Sequence, residues 1–251
     1  MIEKLKNLVN KRFFHTVVIA LIIFILLLFV AFVMLEYSVE GEKNMPFELT
    51  KIAIISSSEG IDKKETDSKW DFDINQFNDI YLYIEKNNNY GKTEYINEVI
   101  IDNIVIESEN KENIKIYKPD DSNDNVTFLN KEENEVNDIK YVGEVEGNIK
   151  KLQISNQGGL IVFRCSNNNV IEYKSNDDIE IAHDQLLNKT GITEDDLKIK
   201  ISFNLTLKLE DLKKYKTTIS LDLPVDGLIE KGKVAEEITD LNEFVFKRVK
   251  N

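Results

Sequence analysis

The chain has 251 residues, 31% of them charged and 42% hydrophobic, with a formal net charge of −13. This balance excludes a broadly disordered chain and allows a core of ordinary size. Residues 1–35 carry a net +3, so the remainder holds −16. A region that acidic lacks the basic surface that nucleic acid requires, and we therefore exclude nucleic acid as a partner.

A run of uncharged, mostly aliphatic residues, Thr16–Leu35, follows the N-terminus. An α-helix of about 20 residues spans roughly 30 Å, which is the hydrocarbon thickness of a bilayer. The run therefore predicts one transmembrane helix over residues 16–35, in direct contact with the lipid bilayer.

The charges that flank this run differ in sign. Before it stand Lys4, Lys6, Lys11 and Arg12, and after it Glu36, Glu40, Glu42 and Lys43. The positive-inside rule then predicts a cytoplasmic N-terminus and places residues 37–251 on the extracellular side of the cell membrane.

Cleavage as a signal peptide is the alternative. The run is longer than the usual apolar region of roughly 7–15 residues, and Val39-Glu40-Gly41 is a poor cleavage site. We expect an uncleaved signal anchor, and cleavage stays open as the second interpretation.

Cys165 is the single cysteine, which excludes an intrachain disulfide. Folded domains secreted into an oxidising compartment more often have disulfides. Together with the abundance of Asn, Ile, Lys and Glu, this indicates a low-GC bacterium and a place in its cell envelope.

Apolar and polar residues alternate along much of the remaining chain, which is typical of β-strands with one buried face. The clearest pair, residues 199–209 and 215–223, flanks a short polar segment and predicts a β-hairpin. Its apolar face needs a second layer, which favours a sandwich or barrel. Further strands are expected at Lys51–Ser56, Asp79–Glu85, Glu98–Ile106, Asn113–Tyr117, Ile139–Val145, Lys151–Ser155, Leu160–Cys165 and Glu243–Val249.

Three local patterns refine this prediction. Residues 99–106 are apolar on both faces, which indicates a central strand. The segment Asn156-Gln157-Gly158-Gly159 predicts a hairpin turn between its flanking strands. Short helices are expected at His183–Lys189 with Gly191 as C-cap, after Thr193, and at Gly232–Asp240.

Four segments follow from these elements. They are a basic cytoplasmic tail at 1–15, the transmembrane helix at 16–35, a stalk at 36–48 and an extracytoplasmic β-rich domain at 49–251. The polar stretch Asp120–Asp138 is either a long loop or a boundary between two β domains, and we prefer one domain. The expected fold is mainly β, a β-sandwich-like domain of antiparallel hairpins with one or two short helices after a single transmembrane helix.

A calcium loop is the first candidate site. Positions 1, 3, 5 and 12 of an EF-hand loop match Asp121, Asn123, Asn125 and Glu132. However, Val126 stands where the sharp turn requires Gly, and Pro119 where the entering helix should lie. We interpret this segment as a solvated loop and assign no metal.

A reactive cysteine is the second candidate. A membrane-anchored β domain with a cysteine after an apolar strand resembles a sortase in outline, but a sortase needs a preceding His and an Arg on a later strand. Here His15 lies at the membrane edge, His183 follows Cys165, and Arg248 is the only later Arg. We therefore expect a half-buried structural cysteine, no catalytic residue and no cofactor.

Aromatic residues form the third candidate. Trp70 is the only tryptophan, and Tyr81, Tyr83, Tyr90 and Tyr95 lie nearby in the sequence. If several of them share one exposed face, they could stack on sugars or anchor a protein partner. We expect Trp70 itself to fill the core.

Three functions remain after these exclusions. The first is a non-enzymatic interaction or scaffolding protein of the cell envelope, with a protein partner there. The alternative is a carbohydrate- or calcium-dependent binding module that uses Trp70, the tyrosines or the Asp121 loop. The third is an envelope hydrolase built on carboxylates, for which the sequence shows no pairing.

Overall fold

The first structural element is one continuous helix, α1, Ile2–Ser38. Its segment His15–Met34 carries no charged side chain and is not buried, so it is long and apolar enough to cross a membrane. No other helix in the described part of the chain meets that condition. Residues 2–15 belong to the same helix as this segment.

A computed structural model describes residues 2–38, 45–63, 69–109, 111–121, 128–129, 131–177, 180, 182 and 184–249. The chain divides into two compact units, Met1–Gly41 and Glu42–Asn251. Residues 39–44 of the predicted stalk lie outside the described residues. Its predicted end at residue 48 falls inside the first strand.

The second unit is built from strands with a few short helices. Its strands are β1 Phe47–Asp62, β2 Trp70–Lys86, β3 Ile96–Glu107, β4 Ile114–Tyr117, β5 Ile139–Glu144, β6 Gln153–Ser155, β7 Gly159–Ser175, β8 Lys200–Leu209, β9 Lys214–Asp222, β10 Lys233–Ile238 and β11 Lys247–Val249. Its α-helices are α2 Glu194–Leu197 and α3 Leu228–Lys231. The described unit is thus mainly β, as the alternating pattern predicts.

The strands form two sheets. The five-stranded sheet has the order β10-β1-β2-β7-β4, and the six-stranded sheet has the order β11-β9-β8-β3-β5-β6. All pairs are antiparallel except β5 with β6. The β8–β9 hairpin and the interior position of β3 confirm two of the local predictions.

Side chains from both sheets meet in one hydrophobic core. The rings of Phe163 in β7 and Phe203 in β8 lie 5.2 Å apart in an edge-to-face arrangement. Tyr141 in β5 is buried, and its hydroxyl donates to the carbonyl of Val162 in β7 at 2.8 Å. These contacts join the two sheets face to face, as in a sandwich-like fold.

The long strands β2 and β7 also contribute to a second core. Phe72 and Ile74 of β2 pack there against buried residues of short helical segments, namely Leu186, Leu187, Leu197, Val225 and Leu228. The strands of the six-stranded sheet contribute no buried residue to this cluster. The inner face of the five-stranded sheet is therefore covered by the other sheet over one part and by short helical segments over another part.

A band of buried polar side chains separates the two cores on the inner face of the five-stranded sheet. It consists of Ser56, Gln76, Asn78 and Asn167. Ser56 donates to the Asn78 side chain at 2.6 Å, and Asn78 donates to the carbonyl of Cys165 at 3.2 Å. Gln76 donates to the carbonyl of Leu197 at 3.1 Å. These bonds compensate the desolvation of the Gln76 and Asn78 amides.

One predicted helix and one predicted hairpin are wrong. The segment Gly232–Asp240 is not a helix but contains β10, because it pairs with the edge of β1 and its residues Val234 and Ile238 pack on the cores. The turn Asn156–Gly159 does not close a hairpin. It connects the two sheets, since β6 pairs in parallel with β5 while β7 pairs with β2.

The predicted helix at His183–Lys189 is shorter than expected. The structure has a 3-10 turn at Leu186–Lys189, and His183 lies outside the described residues. Gly191 adopts a positive φ of 77° shortly after this turn. The prediction after Thr193 is confirmed, because Thr193 and Asp196 form a capping box at the start of α2.

Candidate functional site

The outer face of the five-stranded sheet carries an apolar surface. Side chains of adjacent residues in a strand point to opposite faces, so the neighbours of the core residues Ile54, Ile80 and Phe163 point outward. We call this surface the aromatic face, and it consists of Ala53, Ile55, Phe77, Tyr81, Tyr83, Leu160 and Val162. Phe77 and Val162 are buried, and the other five are partly exposed. Tyr81 lies between Ala53 and Val162, and Tyr83 lies between Lys51 and Leu160.

A charged pair stands in the middle of the aromatic face. Arg164 of β7 is opposite Asp79 of β2, and its guanidinium donates two hydrogen bonds to the carboxylate at 2.6 and 2.9 Å. The guanidinium carbon also lies 4.5 Å from the ring centroid of Phe77 and 4.6 Å from that of Phe128. Arg164 therefore joins the sheet to the segment that carries Phe128.

The cations around this face have partners. The Lys51 ammonium lies 4.3 Å from the ring centroid of Tyr83 and forms an ion pair with Glu237 at 3.0 Å. These partners raise the pKa of Lys51, the hydrogen bond that it donates to Glu237 most of all. Burial and the neighbouring Asp79 raise the pKa of Tyr81, so its hydroxyl is neutral at physiological pH. The aromatic face is thus nearly neutral within an acidic unit.

The outer face of the six-stranded sheet differs in character. Its outward side chains in β8 and β9 are Lys200, Ser202, Asn204, Thr206, Lys208, Lys214, Lys216, Thr218, Ser220 and Asp222. Pairs such as Ser202 with Ser220 and Asn204 with Thr218 bond across the strands at 2.9 Å. Apolar residues reach this face at Ile100, Val105, Val142 and, in β11, Val249. A polar sheet face of this kind is typical of contact with water.

The structure brings some of the predicted aromatic residues together and separates others. Tyr81 and Tyr83 share the aromatic face, roughly 7 Å apart along β2. Tyr90 and Tyr95 lie in the connection from β2 to β3. Trp70 is half-buried against the second core, where its ring stacks on Phe72 and its indole donates to the carbonyl of Asp177. Trp70 therefore packs on a core, although not on the main one.

Cys165 is completely buried, so the expectation of a half-buried thiol is wrong. It lies in the main core beside the polar band, and burial raises the pKa of its thiol to about 12. β7 continues to Ser175 rather than ending near the cysteine, which explains the deeper burial. A protonated thiol without access to solvent is not a nucleophile.

The predicted calcium loop lies only partly within the described residues. Asn123 and Asn125 are outside them, whereas Asp121 is exposed and Glu132 begins a 3-10 turn. Within the described part, no three His, Cys, Asp or Glu residues are placed to hold a metal ion. The calcium hypothesis remains a prediction.

Sequence reasoning missed the charged pair of Arg164 and Asp79. A signal for it was present, because Arg164 is the one charged residue between Leu160 and Cys165, and a cation in an apolar strand needs a partner. Identifying Asp79 as that partner required the register of β2 against β7.

Comparison with known proteins found no matching family, no matching characterised protein and no matching solved structure.

Proposed function

We propose that this protein is a single-pass, membrane-anchored interaction or scaffolding protein of the bacterial cell envelope, without enzymatic activity. Its helix α1 would cross the membrane with the N-terminus in the cytoplasm, and its β-sandwich unit would lie outside. The apolar helix and the charges that flank it support this orientation.

The observation that carries the proposal is the aromatic face. Two tyrosines and three aliphatic residues, Ala53, Ile55 and Leu160, are partly exposed on one side of a sheet whose counterpart is mainly polar. An apolar surface on a unit of net negative charge is typical of a protein contact. The partner would present apolar side chains to Tyr81 and Tyr83 and polar groups to the rim.

An envelope hydrolase has less support. An open cleft beside β10 is lined by carboxylates, among them Glu107, Asp222 and Glu236, but these three are exposed. A carboxylic acid that donates a proton near neutral pH usually lies in an apolar site that raises its pKa. The exposed carboxylates therefore favour binding over acid catalysis.

Site-specific photo-crosslinking in cells tests the contact. A benzophenone amino acid replaces Tyr83 in one version and Thr218, on the polar outer face, in the matched control. We expect a discrete crosslinked partner only from position 83, and its loss when Tyr81→Ser is added. Equal products from both positions, or none from position 83, would contradict the proposal.

The topology has an independent test. A Thr218→Cys variant places an exposed thiol on the β unit, while Cys165 stays buried. A membrane-impermeant maleimide should label this variant in intact cells to the same extent as in lysed cells. Labelling only after lysis would show that the unit faces the cytoplasm.

A carbohydrate-binding module is the second candidate, because two neighbouring tyrosine rings on one face can stack on sugar rings. A glycan array with the full-length protein in detergent tests it. A signal that disappears in Tyr81→Ser/Tyr83→Ser would favour this function over the protein contact. An increase of the melting temperature on addition of calcium would support calcium binding by the Asp121 loop.

A further inference from the structure

An open cleft of about 1100 Å³ lies beside β10 and has no lining residue in the aromatic face. It is formed where β3 and β9 end and β8 begins, and by β10 of the other sheet. Its apolar lining includes Ile199, Leu223, Pro224 and Val234. A cleft of this volume exceeds what a small molecule requires and suits a peptide of several residues.

Acidic side chains surround this apolar lining. Six carboxylates border the cleft, namely Glu107, Glu109, Asp195, Asp222, Asp226 and Glu236, and two lysines accompany them. One of these, Lys198, forms an ion pair with Asp195 at 2.6 Å. The cleft therefore has a formal charge of −4 and attracts cationic groups.

One wall of the cleft is a strand edge. β10 pairs with β1 through residues 233–238 and is the terminal strand of its sheet. No other described strand lies beyond it, so its outer N–H and C=O groups face away from the sheet. Such an edge is a template for an added strand. Val234 and Glu236 are on the side of β10 that faces the gap between the sheets.

We propose that this cleft binds an extended basic peptide, which adds to β10 as a strand. Alternate side chains of the peptide would enter the cleft, where small apolar residues contact Val234 and Leu223 and lysines or arginines meet the carboxylates. An acidic or neutral strand lacks that complementarity. This binding site is separate from the aromatic face and does not depend on the function proposed for it.

Fluorescence anisotropy with the full-length protein in zwitterionic detergent tests the site. The probe is a fluorescein-labelled peptide of nine alternating lysines and valines with blocked ends. The cleft variant is Glu109→Lys/Asp222→Lys/Glu236→Lys, and the matched control is Glu133→Lys/Glu144→Lys/Glu146→Lys. All six residues are exposed, and both variants change the net charge from −13 to −7.

We expect the cleft variant to raise the Kd by at least about tenfold and the control to change it by less than about twofold. The variant Tyr81→Ser/Tyr83→Ser should bind the peptide as the native protein does. A peptide with alternate amides N-methylated should lose affinity, since it cannot pair with β10.

Three outcomes would overturn the proposal. Equal weakening in the cleft variant and the control would mean that overall charge alone attracts the peptide. No binding by the native protein would exclude the site. Unchanged affinity of the N-methylated peptide would exclude addition to β10.

Discussion

Arg164 and Asp79 face each other across β7 and β2, joined by two hydrogen bonds on a sheet face that is otherwise largely apolar. Their side chains are only 15% and 16% exposed. Loss of either partner therefore leaves a poorly solvated charge. This pair therefore stabilises the five-stranded sheet and places two opposite charges on the aromatic face.

Replacing Asp79 by Asn should destabilise the fold by about 2 kcal/mol, because the guanidinium loses an ionised partner in a partly buried place. The matched control is Glu135→Gln, which breaks the exposed pair of Lys115 and Glu135 and should cost clearly less. Urea unfolding followed by the fluorescence of Trp70 measures both. Equal costs would show that the central pair is no more important than a surface pair.

Gly232 ends α3 with a φ of 69°, and a Cβ there would lie 1.8 Å from the carbonyl oxygen of Asp184. Gly232→Ala should therefore cost about 3 kcal/mol or more, from backbone strain and a steric clash together. Gly191 has a φ of 77° but open space around it, so Gly191→Ala should cost about 1 kcal/mol. The difference between the unfolding midpoints of the two variants measures the effect of the steric clash at Gly232. Similar midpoints would contradict that clash.

Cys165 should resist thiol reagents in the folded protein. Its side chain is fully buried, and burial raises its pKa to about 12, so little thiolate exists at pH 8. Reaction with a chromogenic disulfide should require urea and follow the unfolding curve. A Thr218→Cys variant in a Cys165→Ala background provides the exposed control, which should react at once. Rapid reaction of native Cys165 would contradict its burial.

The stability of the fold should decrease in alkaline solution. An ordinary cysteine loses its proton near pH 9, whereas Cys165 keeps it to about pH 12 when folded. Between those values the folded state holds a proton that the unfolded state has released, so stability falls as pH rises, by at most about 1.4 kcal/mol per unit for one group. Burial also raises the pKa of Tyr141, which acts in the same direction.

Urea midpoints at pH 8 and pH 10.5 measure this effect. Cys165→Ala should show a smaller loss of stability between the two values than the native protein, whatever its absolute stability at pH 8. An unchanged pH dependence in that variant would mean that Cys165 contributes nothing to it.

The alternating pattern of the sequence was sufficient for the strongest strands. Lys200–Leu209 and Lys214–Asp222 each present one apolar and one polar face, so their hairpin follows from local periodicity alone. The membrane-spanning length of α1 likewise follows from an uninterrupted apolar run. Both features depend on residues close together in the chain.

The full length of β1, β2 and β7 depends on tertiary contacts. Residues such as Gln76 and Asn78 interrupt the apolar pattern, and by themselves they indicate a loop. They are tolerated inside because Ser56 and the carbonyls of Cys165 and Leu197, all distant in the sequence, satisfy their hydrogen bonds.

The chain's composition and local periodicity determined an apolar helix followed by a mainly β, acidic unit. Only the tertiary structure decided which side chains share a face. The register of β2 against β7 places Tyr81 and Tyr83 near Arg164 and Asp79, and the position of β10 at the sheet edge creates the cleft. Strand pairing is a long-range choice, and a shift of one residue would move every side chain to the opposite face.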